Sequence, residues 1–156
     1  MTAILVLGLG NPILGDDGLG PRAIEEIAAA VELPEGTRVY DGGTGGLDLL
    51  GEIEEAERLI AVDAVMTGGR PGALHRLAGP DIPAYLERSA SAHDVGLRDL
   101  LALARLRGSG PSEVVVLGLE PAEMVPSTSL SPAVEAALPL LLAAVRDEAW
   151  RLAAAR

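Results

Sequence analysis

The groups able to do chemistry in this chain are carboxylates and, sparingly, imidazoles: it has 23 Asp and Glu, two His and no cysteine. Without a thiol there is no disulfide, no thiolate nucleophile, no cysteine zinc site and no cysteine-held iron–sulfur cluster. The acids recur at one kind of address. Asp16 and Asp17 follow the apolar run Ala3–Leu7 and its sequel Gly8-Leu9-Gly10-Asn11-Pro12. Asp41 follows Arg38–Tyr40 and opens Asp41-Gly42-Gly43-Thr44-Gly45-Gly46. Asp63 follows Leu59–Val62, and Glu120 stands in the turn Gly118-Leu119-Glu120-Pro121 after Val114–Leu117. Each acid sits where an apolar run ends, and random surface acids need not keep that address.

Asp63 lies between Val62 and Ala64-Val65, which predicts a carboxyl at least half buried. Buried carboxylates are paired or hold a cation, and a hydrogen-bonded turn acid is the plainer alternative. Either Asp16 or Asp17 can cap the following helix, so two adjacent acids leave one over. His93 sits in Ser91-Ala92-His93-Asp94, a capping-box pattern that places it in a first helical turn. There the helix dipole disfavours the imidazolium, and the neutral ring is the form a metal takes. His75, in Leu74-His75-Arg76, has no such setting and reads as structural or exposed.

Two carboxylates and one neutral imidazole make a partial site for a divalent transition metal, with positions open for water or a substrate group. Neither H-E-x-x-H nor G-x-S-x-G is present, so a helix-borne zinc site and a serine elbow find no support. Gly8-x-Gly10 opens like a dinucleotide fingerprint, but the third glycine position is Ile13. Asp16 and Asp17 then stand where a pyrophosphate needs N–H groups. The residues alone support a metal- or acid-assisted reaction at a cleft of strand ends.

Positioning those acids requires a sheet. Ala3–Leu7, Arg38–Tyr40, Leu59–Val62 and Val114–Leu117 read as strands buried on both faces. Ala73–Leu77 reads as an edge strand, antiparallel to its neighbour. Helical spacing marks Pro21–Val31, Leu47–Ile53 and Val95–Leu106, the last with Leu97, Leu100, Leu101, Leu103 and Ala104 inward. A final helix starts at the cap Ser131 with Pro132 in its first turn, runs toward Arg151, and should kink at Pro139. Strands alternating with helices predict a three-layer α/β/α fold, a twisted, mostly parallel sheet of about five strands.

The 156 residues fit one domain, 1–156. A formal charge of −11 repels phosphate backbones, which argues against a nucleic-acid partner. The longest apolar stretch, near Leu138–Val145, is far short of the ~20 residues that span a bilayer. The first basic residue is Arg22, unlike the charged start of a signal peptide, so a cytoplasmic protein is expected.

The segment from Gly8 through Asp16-Asp17-Gly18-Leu19-Gly20 resembles the amino-terminal signature of the nickel–iron hydrogenase maturation endopeptidases. The resemblance continues through Asp41-Gly42-Gly43-Thr44, Ile60-Ala61-Val62-Asp63-Ala64, His93 with Gly96-Leu97, Gly118-x-Glu120-Pro121 and Leu130-Ser131-Pro132. It thus spans almost the whole chain in order. It implies a twisted, mainly parallel sheet flanked by helices, and removal of a short carboxyl-terminal extension from a hydrogenase large-subunit precursor once nickel is inserted. It also implies that Asp17, Asp63 and His93 are the metal-binding and catalytic positions, Asp17 standing where some members have Glu. The nickel would come with the substrate, the free enzyme being metal-free or holding another divalent ion. Asp41, Gly42, Gly43 and Thr44 would line the same edge and meet the substrate tail.

Gly8-Leu9-Gly10-Asn11-Pro12 also opens peptidyl-tRNA hydrolases, but their catalytic histidine comes soon after, whereas the first histidine here is His75. A non-proteolytic metal- or nucleotide-binding module would need only the glycine loops and acids. The default assembly is a monomer, with Gly68–Pro71 and Leu86–Ala92 expected as flexible loops near the site.

Overall fold

The computed structural model describes residues 2–89 and 96–155. The chain runs β1 (Thr2–Leu9), α1 (Leu19–Ala30), β2 (Thr37–Gly43), α2 (Leu50–Glu55), β3 (Ala56–Ala64), β4 (Leu74–Ala78), α3 (Asp81–Ser89), α4 (Leu97–Leu106), β5 (Glu113–Leu119) and α5 (Pro132–Ala154). Single 3-10 turns at Gly15–Gly18 and Gly46–Leu49 lead into α1 and α2. The five strands form one sheet in the order β2-β1-β3-β5-β4. All neighbours are parallel except β4, which lies antiparallel on β5 at the edge, as expected of Ala73–Leu77.

Continuous apolar runs form the strands because both faces are covered. Ile4 and Val6 of β1, with Ile60 and Val62 of β3, pack under α1 and α5. Their alternates Leu5, Leu7, Leu59 and Ala61 pack against Ile53 of α2, Tyr85 of α3 and Leu97, Leu100 and Ala104 of α4. The result is the three-layer sandwich expected. Close passage of α1 over β1 depends on glycine: a Cβ on Gly20 would sit 2.1 Å from the Leu9 carbonyl oxygen, and one on Gly8 would sit 2.6 Å from that of Gly20. No other residue fits that crossing.

Ser131 caps α5 by accepting the Val134 N–H, and Pro132 occupies the first turn, as its sequence implies. The helix continues through Pro139 to Ala154, with Val134, Leu138, Leu141, Val145, Ala149 and Leu152 buried. Glu148 is buried on the same helix because Arg76 of β4 and Arg151 each donate to it at 2.6 Å.

Three expectations need correction. Residues 86–89, expected as loop, belong to α3, whose Ile82, Tyr85 and Leu86 have the i, i+3, i+4 spacing of a buried face. Leu103 faces outward, leaving Leu97, Leu100, Leu101 and Ala104 as the buried stripe of α4. Asp41 is inside β2 rather than beyond its end. The Ser91–Asp94 capping box lies outside the described residues. Among the described residues, no helix is long and apolar enough to cross a membrane.

Candidate active site

The connections from β1 run to opposite sides: α1 leads to β2 on one flank, and the chain then returns to β3 on the other. The carboxyl ends of β1 and β3 therefore form the switch point of the sheet, where adjoining loops diverge and leave a crevice. Gly8 pairs with Val62 there, so the β1–α1 loop and Asp63 rise side by side.

Asp17 is brought to this crevice by a loop folded on itself. Its Oδ2 accepts the Asn11 N–H at 3.0 Å. Gly10, at the base of the loop, has φ +130°, and a Cβ there would lie 1.9 Å from the Asp17 carbonyl oxygen. Asp63, next to last in β3, accepts a hydrogen bond from the Tyr85 hydroxyl of α3 at 2.7 Å. Burial pushes the Asp63 carboxyl up to about 7, the hydrogen bond from Tyr85 opposes that shift, and the nearby charge of Asp17 adds to it. Both carboxylates line one cavity of about 430 Å³ with Met66, Tyr85, Arg88 and Met124.

Such a pair suits a divalent cation: two acids in one half-buried crevice, one already resisting ionisation for want of a counter-charge. Among the described residues, no three His, Cys, Asp or Glu converge closely enough to hold a metal by themselves. His93, the imidazole expected of the site, lies outside the described residues.

The other strand-end acids serve different ends. Asp16 is almost fully buried and ties the β1–α1 loop to the segment after β5: its Oδ1 accepts the Ser131 N–H at 2.7 Å, and its Oδ2 those of Ala122 at 2.8 Å and Glu123 at 3.1 Å. Burial alone would raise its carboxyl, but these N–H groups outweigh that and hold it below the usual range. Glu120, also buried, accepts from the Thr67 hydroxyl at 2.7 Å, from the Thr67 N–H and from His75 Nε2 at 2.9 Å. Burial opposes its ionisation, yet Thr67, His75 and the Gly69 N–H bring it down to about 2. His75 is thus structural, bound to a carboxylate.

Asp41 is exposed and lines a separate cavity of about 450 Å³ with Pro12, Arg22, Glu25 and Leu130. Gly42 is buried against Leu7 and Leu49, the Gly43 carbonyl accepts the Gly10 N–H at 3.1 Å, and Thr44 is exposed. That glycine stretch therefore braces the β1–α1 loop.

Comparison with known proteins decides what this crevice belongs to. The hydrogenase maturation protease family profile matches residues 21–148. Hydrogenase expression/formation protein HupD of Rhodobacter capsulatus is 42% identical over 151 residues, covering 94% of this chain and 72% of that protein. The hydrogenase 2 maturation protease of Escherichia coli is 36% identical over 149 residues, 92% of this chain and 91% of that one. The chain belongs to the hydrogenase maturation protease family. The solved structure of the hydrogenase maturating endopeptidase HybD from E. coli superposes with a TM-score of 0.84 at 34% identity, covering 92% of this chain and 90% of that chain.

As a maturation protease the chain is a hydrolase of peptide bonds, which decides among the binding-module, tRNA-hydrolase and peptidase readings. Of the polar side chains in this protease's cleft, Tyr85 and Arg88 were not singled out from the sequence, though Arg88 falls within 86–92, a segment expected near the site. Their signal was present: Ile82, Tyr85 and Leu86 repeat at helical spacing, with Pro83 in the first turn, where proline is tolerated.

Proposed function

We propose that this protease removes the carboxyl-terminal extension of a hydrogenase large-subunit precursor after nickel has been inserted. Asp17 and Asp63, with His93, then contact the nickel that the precursor carries. The observation that carries this reading is the meeting of Asp17 and Asp63 in one cavity at the switch point, where Asp63 is driven to about 7 by burial and by its neighbour's charge. A divalent ion arriving with the substrate supplies the missing counter-charge. It also polarises the scissile carbonyl or a water, with a carboxylate taking the proton. The free enzyme, holding only part of a ligand set, binds metal weakly.

A folded protein substrate also suits the end of the sheet at which the cleft opens. Ile13, Leu47, Met66 and Val125 are 49% to 61% exposed and come one each from the loops after β1, β2, β3 and β5. The Ser127 N–H to Ile13 carbonyl bond of 3.0 Å joins the loops after β5 and β1, and the Gly10 N–H to Gly43 carbonyl bond ties the latter to the end of β2. Large exposed apolar side chains presented by loops at one end of the sheet suit an interaction surface. We take the protein to act as a cytoplasmic monomer, on its acidic, cysteine-free composition.

The test is the intact mass of a large-subunit precursor after incubation with the protein, with and without nickel loading. Loss of a carboxyl-terminal peptide from the loaded form alone is expected. Equal cleavage of both forms, or of neither with the cognate precursor, overturns the reading.

A further inference from the structure

The cleft contains a cation that its acidic chemistry does not call for. Arg88 lines the same cavity as Asp17 and Asp63, yet its side chain is exposed and, among the described residues, no ion pair holds it to a carboxylate. That is unusual here. The chain has no lysine, and most of its described arginines are paired with carboxylates, Arg22 with Glu135, Arg76 and Arg151 with Glu148, and Arg107 with Glu54 among them.

The position is built rather than incidental. Tyr85 is buried and donates to Asp63, which fixes α3 against the cleft. Arg88 is three residues further along, on the same helical face, so the bond that holds Tyr85 also sets where the guanidinium emerges. A guanidinium there works against binding of a free cation, whereas its planar donor fork matches a carboxylate.

We propose that Arg88 is a substrate-specificity residue that captures a carboxylate of the precursor's tail, either the terminal α-carboxylate or an Asp or Glu side chain within the extension. This rests on the peptidase reading above and adds to it a second anchor: the carboxylates take the metal while Arg88 takes the tail. Exposure suits a binding role. An oxyanion stabiliser would need a donor held rigidly in place.

The experiment compares wild type, Arg88→Gln and Arg88→Lys on nickel-loaded precursor, separating KM from kcat. Arg88→Gln should raise KM about tenfold, as expected for loss of one partly solvated charge-assisted pair. Its kcat should change little, and Arg88→Lys should fall between because it lacks the fork. Two altered substrates locate the carboxylate: a semisynthetic precursor ending in a carboxamide, and one whose tail Asp and Glu are changed to Asn and Gln. One of them should cost wild type the same factor and cost Arg88→Gln nothing further. An unchanged KM for Arg88→Gln, a loss confined to kcat, or additive losses with both substrates overturns the inference while wild-type cleavage leaves the peptidase reading intact. If wild type cleaves nothing, the peptidase reading fails and this one with it.

Discussion

Replacing Glu120 with glutamine should cost about 3 kcal/mol of stability at neutral pH, and the cost should shrink as the solution is acidified. Glu120 is 1% exposed and gathers the Thr67 hydroxyl, the Thr67 N–H and His75 Nε2 onto one carboxylate. A carboxyl held at about 2 instead of 4.5 contributes roughly 3 kcal/mol, at ~1.36 kcal/mol per tenfold change in proton affinity. Because the folded value is the lower one, this contribution is fully present above 4.5 and is lost as the pH falls toward 2. Glutamine keeps the shape and one acceptor but turns an N–H₂ toward donors, leaving buried groups unpaired. Urea titrations of wild type and Glu120→Gln at several pH values read the difference directly. It should be largest near neutrality and fall to less than half near pH ~3. Thermal unfolding at neutral pH should shift by about 6–12 °C in a chain of this size. A difference that stayed constant across that range would refute the assignment of the stability to an ionised Glu120.

Other perturbations bear on separate parts of the structure. Asp16→Asn should destabilise the fold by roughly 2–3 kcal/mol, because it weakens a tie to three buried N–H groups; urea unfolding measures it. Gly10→Ala should abolish soluble, active protein, since a Cβ would sit 1.9 Å from the Asp17 carbonyl oxygen; normal circular dichroism and activity would contradict the geometry. Tyr85→Phe removes the 2.7 Å bond to Asp63 and should lower kcat/KM on nickel-loaded precursor by roughly 10–100-fold. The same variant should lose only about 1 kcal/mol of stability. Met66→Asp, at a position 59% exposed on the cleft rim, should raise KM with unfolding unchanged; an unaltered KM would remove Met66 from the docking surface.

Much of this molecule is legible in its residues because the physics is local. Runs such as Leu59–Val62 can be strands only if both faces are covered, and the fold covers them with α1 and α5 on one side and α2, α3 and α4 on the other. Ser131-Pro132 starts α5 where a cap and a first-turn proline belong. Allocation of the acids was not legible. Asp16 and Asp17 are adjacent and chemically identical, and only the approach of Ser131, Ala122 and Glu123 makes one a strut and leaves the other in the cleft. His75 looked unpartnered because Glu120 is 45 residues away in sequence. Tyr85 was hidden in a short helix with a proline near its start, and its role depends on α3 meeting the end of β3. Long-range pairing, rather than any local pattern, decided each of those cases.

The most direct measurement is the rate of tail removal from nickel-loaded large-subunit precursor by Asp17→Asn and Asp63→Asn, each checked for wild-type unfolding. If both carboxylates hold the nickel that the substrate brings, each variant should lose roughly a hundredfold or more in kcat/KM, as removal of support from a metal site commonly does. Cleavage at the wild-type rate by either folded variant would contradict the account.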